Sequence, residues 1–303
     1  ANRALIKTMD EKIMNYYMYG YPGALSDVEV SLEKGKVYVA SLTKGLGIYD
    51  GFQWKNLHQY NSEINETIRD LAVDPSGKIW AGTDSGIFII DYDSIVSIIP
   101  PEYYGNDKLN HIFVDNKDTI VSTISASYKY DNGELKSLSI YDVNKFIRGG
   151  NDTLYYSQKK KVSSYYNGVS EELDPENGTA FSSHDLDIVR ADDGSIWANT
   201  MFGGASKYSN GKWEHFYDNN SPLSNNTVRG MDVDPYGKVW LSTNDKIYMV
   251  SPDMSWDSLS FDSVGIRVGT SVKGMKLNEN IAIIYGIEGI HLSLYKDYEP
   301  EMI

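Results

Sequence analysis

Apolar and polar residues alternate in short runs along this chain, and the runs are broken at close intervals by Gly, Pro, Asp and Asn. The clearest instance is residues 67–92. There, 71–73, 79–82 and 87–90 read as three strands, separated by Asp74-Pro75-Ser76-Gly77 and by Asp84-Ser85-Gly86. Period-two alternation buries one face of a pleated strand, Pro presets φ for a turn, and Gly supplies the positive φ that tight turns need. A strand follows from Trp54-Lys55-Asn56-Leu57 and another from Trp213-Glu214-His215-Phe216, each placed after the third strand of its unit. The unit is therefore four strands.

The unit repeats. Aligned on the position of Trp80, the copies centre on Tyr38, Trp80, Val121, Tyr155, Trp197, Trp240 and Ala282, with spacings of 42, 41, 34, 42, 43 and 42 residues. A four-stranded unit with a period near 40 residues signals a β-propeller. The expectation is an all-β fold: a single seven-bladed propeller over residues 1–303, with residues 1–26 as a lead-in and closing strand. The strand predicted at 13–19 completes the last blade, which has only three strands of its own. A Trp or Tyr on the second strand fills the widening wedge between blades.

Composition alters this picture little, but it narrows the partners. The 24 tyrosines and 26 glycines suit strands and turns, and 41% hydrophobic residues allow a large core. A net charge of −14 opposes phosphate backbones and anionic lipid, so no nucleic-acid partner and no direct membrane insertion are expected. Cysteine is absent, which removes disulfides and thiolate chemistry. Residues 1–4 carry no signal-peptide pattern, so a targeting segment, where one exists, is not in this stretch.

The residues also carry a family resemblance. Residues 221–243, from Ser221-Pro222-Leu223-Ser224-Asn225 through Asp234-Pro235-Tyr236-Gly237-Lys238-Val239-Trp240, resemble the two-component regulator propeller repeat, and residues 64–87 match it equally well. Gly194-Ser195-Ile196-Trp197 matches in part. The resemblance implies an extracytoplasmic propeller of the kind found in Bacteroidetes hybrid sensors and exported lipoproteins, with carbohydrate or other nutrient sensing as the associated role. The chain holds one propeller and no kinase, so it reads as a sensor-like propeller without its own signalling module. An excised propeller of a hybrid histidine kinase is the alternative.

No compact catalytic motif, metal-ligand spacing or phosphate loop occurs, and no cofactor or metal is expected. In a propeller the ligand face is formed where the chain enters each first strand and where it passes from second to third strand. On that basis the candidate ligand-binding residues are Asp27, Arg69, Asn110 and Arg229 from the first set, with Asp84, Met201, Phe202 and Asn244 from the second. Asn144, Asp185, Ser271, Lys44, Ser125, Lys159 and Glu288 occupy equivalent places. Arg69 and Arg229 hold the same position in their copies, where guanidinium forks suit a carboxylate. The plainer reading gives each a salt bridge to an acid of the neighbouring blade. The expected function is a non-catalytic binding or interaction propeller of the bacterial cell envelope, taking a small glycan or peptide or a protein partner. The rival is a polysaccharide lyase or glycosidase at the channel mouth, for which His111 with nearby carboxylates would be the mark.

Overall fold

The computed structural model describes residues 13–18, 25–31, 33–50, 53–57, 64, 67–175, 186–262, 272–277, 281–286 and 289–295. Among them there is no α-helix, and one 3-10 turn spans Pro101–Tyr104. Six sheets each take four strands in chain order, opening with Leu25–Ser31, Ile68–Val73, Leu109–Val114, Lys145–Arg148, Asp187–Arg190 and Gly230–Val233. These are blades one to six. A further four-stranded sheet joins Val272–Leu277, Ile281–Gly286 and Gly289–Tyr295 to Ile13–Met18 from the other end of the chain, with Ile13 opposite Tyr295 and Met18 opposite Ile290.

Counted as uninterrupted runs of four strands, the blades number six, not the seven that the period predicts. The physical reason lies in the last copy, which supplies only three strands and so leaves an edge of unpaired N–H and C=O groups. A strand from the opposite chain end covers that edge and makes a closing sheet of mixed origin.

First strands contact one another in sequence around a central channel, and the closing sheet meets blade one. The core is divided among the seams between successive sheets. Tyr38, Leu46, Leu71 and Phe88 fill the seam of blades one and two; Trp197, Phe216, Met231 and Tyr248 fill that of blades five and six. Tyr38, Trp80, Tyr155, Trp197 and Trp240 face Glu29, Ala72, Ile147, Val189 and Asp232 across their sheets. The corresponding place is held by Ile120 opposite Phe113 in blade three and by Ile283 opposite Lys276 in the closing sheet. A shift of one residue there reverses the face, so period alone locates these strands without fixing which side chain fills the wedge.

The recurrent Asp-Pro-x-Gly-Lys-x-Trp motif is one hydrogen-bonded unit. Asp74 Oδ1 accepts from the backbone of Ser76 (2.8 Å) and Lys78 (3.0 Å), while Oδ2 accepts from the Trp80 indole at 3.4 Å. Asp234 does the same for Tyr236, Lys238 and Trp240, with the indole at 2.9 Å. The aspartate closes the hairpin and aims the indole, which explains their fixed spacing.

Gly204 opens the third strand of blade five at φ +67°, where a Cβ would collide with the Phe216 carbonyl oxygen. Gly204→Ala is expected to cost about 3 kcal/mol, because left-handed strain adds to a clash with backbone that cannot yield. Gly211, at φ +80° with nothing within 4 Å, is the control: Gly211→Ala should cost only about 1 kcal/mol. Denaturant unfolding of both variants checks the difference, and equal losses would contradict the clash.

Candidate functional site

The site is built on the first strands. In four sheets the register slips between the first and third residues of that strand, at Leu25/Asp27, Ile68/Asp70, Leu109/His111 and Val272/Gly274. Two blades show the same geometry at Asn144 and Arg229, whose N–H groups bond Ser157 O (2.9 Å) and Ser242 O (2.8 Å) beside the next paired residue. Such a bulge re-aims side chains. It creates two tiers at one end of the channel: a rim of Ser26, Arg69, Asn110, Asn144, Leu186, Arg229 and Lys273, and an inner ring of Asp27, Asp70, His111, Lys145, Asp187, Gly230 and Gly274.

A cavity of about 780 Å³ opens at this end and runs along the channel, lined by both tiers except Arg69 and Gly230, and by Glu29, Asp142, Lys159, Lys276 and Tyr285. That is the size of a small-ligand site.

Much of the inner ring is committed to holding blades together. Asp27 Oδ2 accepts from Leu71 N at 3.0 Å, Asp70 Oδ2 from Ile112 N at 2.6 Å, and Asp232 Oδ2 from Leu277 N at 2.7 Å, each reaching the following sheet. Lys145 meets Asp187 at 2.7 Å across blades four and five, and Lys276 meets Glu29 at 2.6 Å where the closing sheet joins blade one. His111 Nδ1 lies 3.1 Å from Asp70 Oδ2. Burial pushes the Asp27 carboxyl up to about 8, with the charges of Asp70 and Glu29 adding to the effect and Lys276 opposing it. Burial also raises Asp232. For Lys276 burial works against the charge, but Glu29, Asp27 and Asp232 together outweigh it and hold the amine well above the ordinary lysine value.

Of the residues singled out by sequence, Asp27, Asn110 and Arg229 line the cavity, as do Asn144 and Lys159. Arg69 instead binds Asp84 (2.6 Å), and Arg229 binds Asn244 (2.9 Å). Both contacts join residues fifteen apart in one blade, which corrects the expectation of an acid from the neighbouring blade. The two loop sets meet at each blade tip, so the local partner is nearer than the next blade. Met201 and Phe202 are not among the lining residues, and Phe202 is 70% exposed. Asp185, Ser271 and Glu288 fall outside the described residues. Sequence reading missed Asp70 and Lys145, because the bulge places the residue after the expected one on the inner ring, and it missed Asp187, Lys273, Lys276 and Tyr285 as well. Among the described residues, no cluster of three or more His, Asp or Glu side chains is arranged to hold a metal ion.

No protein-family model matches the sequence, and no curated protein sequence matches it. Solved structures do. A catalytically inactive virginiamycin B lyase from Staphylococcus aureus with quinupristin aligns at TM-score 0.76 and 12% identity, over 94% of this chain and 99% of that one. The extracellular domain of a protein assigned as a hybrid two component system from B. thetaiotaomicron aligns at TM-score 0.70 and 17% identity, over 92% of this chain and 39% of that one. YCF48 bound to D1 peptide aligns at TM-score 0.72 and 15% identity, over 98% and 100%. Identity this low carries the fold and nothing finer: by its architecture, this chain is a β-propeller.

Proposed function

We propose that this protein is a non-catalytic, sensor-like binding propeller of the bacterial cell envelope that takes a small glycan or peptide at the channel mouth. The observation that carries this reading is the division of labour between the two tiers. Asp27, Asp70, Lys145 and Asp187 of the inner ring are fixed by bonds between blades, as Ser26 and Lys273 of the rim also are, while the rim as a whole changes from blade to blade through Ser, Arg, Asn, Asn, Leu, Arg and Lys at a cavity of about 780 Å³. A rigid ring under a varied rim suits recognition. Structural likeness to extracellular domains and to a peptide-bound propeller supports the same reading. No helix among the described residues is long and apolar enough to cross a membrane.

The enzyme reading has one observation in its favour, the His111–Asp70 pair within the cavity of a fold shared with a lyase. Two features weigh against it. Asp70 is already engaged by Ile112 N at 2.6 Å, as Asp27 is by Leu71 N, so the pair sits in a run of blade-to-blade contacts. The His111 Nε2 atom is buried and has no hydrogen-bond partner among the described residues, so no second group orients the imidazole as a catalytic base.

Calorimetry against glycan and short-peptide panels tests the proposal. Saturable one-to-one binding is expected, with no product released on prolonged incubation. Turnover abolished by His111→Ala would overturn it in favour of the enzyme.

A further inference from the structure

Among the described residues, five cationic side chains line the cavity, and three of them are matched: Lys145 by Asp187 (2.7 Å), Lys276 by Glu29 (2.6 Å) and Lys159 by Asp142 (3.2 Å). Arg229 and Lys273 have no carboxylate partner among the described residues. Arg229 Nε donates to Asn244 Oδ1 at 2.9 Å, and Lys273 Nζ donates to the Leu25 carbonyl at 2.9 Å. Each contact is neutral and uses one donor, which fixes the side chain and leaves further N–H groups to offer.

The backbone brings these two residues together. Gly230 and Gly274, which follow them directly, lie where the first strands of blade six and the closing sheet touch. A Cβ on Gly230 would fall 2.8 Å from the Gly274 carbonyl carbon. Neighbouring strands separated by so little set the backbones of Arg229 and Lys273 at adjacent points of the rim, from which Arg229 reaches Asn244 of its own blade and Lys273 reaches Leu25 of blade one. The result is a local concentration of positive charge at the cavity edge of a protein whose net charge is −14.

We infer that Arg229 and Lys273 form a carboxylate clamp, so that the ligand of the mouth is a small acid bound with its carboxylate at the junction of blade six and the closing sheet. This rests on the mouth being the binding site proposed above. A planar guanidinium beside a compact ammonium suits one carboxylate, the first in a forked contact and the second as a point charge. The sources consistent with this chemistry are a uronic acid sugar and a peptide C-terminus.

The test pairs each acid with its neutral counterpart. Calorimetry is run with a galacturonate trisaccharide and its methyl ester, and with a tripeptide and its C-terminal amide. The expected result is that one acid binds about tenfold or more tightly than its neutral form, since a charge-assisted contact is worth at least about 1.4 kcal/mol. Whichever acid shows this identifies the source. Arg229→Ala and Lys273→Ala should each remove most of that preference while weakening the neutral form several-fold less than the acid, a selective readout that a folding defect would not produce. Equal affinity for acid and neutral forms would overturn the clamp and leave the binding mouth standing. Absence of binding in every arm would overturn both.

Discussion

Replacing Trp197 by alanine is expected to lower the stability of the folded protein by about 4 kcal/mol, the largest loss among the seam tryptophans. Trp197 is 2% exposed, stacks on Phe216 at 5.5 Å, and lies in the cluster that joins blade five to Val228, Met231 and Val239 of blade six. Its removal leaves a cavity that two pleated sheets, each locked by its own ladder, cannot collapse to fill. Trp80, 6% exposed and packed edge-on against Tyr130, should cost nearly as much. Trp240 is only half-buried, and Trp240→Ala should cost about 2 kcal/mol, part of it from stranding the Asp234 carboxylate. Denaturant unfolding of the three variants provides the measurement; equal losses would contradict the ranking by burial, and a Trp197→Ala effect within the range of surface substitutions would show that the seams are not where stability resides.

The second large effect concerns pH. Asp27 binds a proton more tightly when folded, near 8, than in the unfolded chain, where an aspartate has its ordinary value near 4. Between these values the native state holds more protons than the unfolded one, so stability must fall as pH rises. The contribution is fully present below about 4 and lost by about 8, a total of the order of a few kcal/mol after allowance for coupling within the cluster. Asp232, raised by burial, pulls the same way. Lys276, raised by Glu29, Asp27 and Asp232 in spite of burial, adds stability that is lost only at alkaline pH, as the amine releases its proton. On the acid side the sign reverses. Burial alone would raise Asp115 and Asp118, but Arg148 together with backbone N–H groups at Asp115 and Lys129 at Asp118 hold both below the usual range, and their contribution is lost as pH falls through it. Melting temperature should therefore peak at mildly acidic pH and decline toward pH 8. Asp27→Asn removes the titration while keeping one acceptor oxygen, so its deficit relative to the parent should shrink as pH rises. A flat parent profile, or an identical slope in the variant, would rule this out.

These two results draw on different layers of information. The tryptophan wedge was legible because the Asp74 to Trp80 and Asp234 to Trp240 motifs repeat with their spacing intact, and each motif is a local hydrogen-bonded hairpin that the chain specifies by itself. The Asp27 cluster was not. Glu29, Asp232 and Lys276 are separated by some 200 residues or more from at least one member of the group, and only ring closure brings them into one channel. Asp27 itself was flagged from its place in the repeat, yet the residues that govern its proton were invisible until the closing sheet was in place. The loop candidates Met201 and Phe202 lie outside the cavity lining, since an apolar loop at a blade tip does not by itself specify which way it leans.

By itself, then, the sequence determined the repeating four-stranded unit, the turns that cap it and the aromatic side chains that wedge its copies apart, because all of these follow from alternation and turn chemistry within some 40 residues. The tertiary structure alone decided how the last sheet is completed, which residue of each first strand a bulge turns inward, and which charges find partners. Those outcomes depend on where the ends of the chain meet and on backbones touching at Gly230 and Gly274, and no local pattern encodes a distance between residues that only the closed ring makes neighbours.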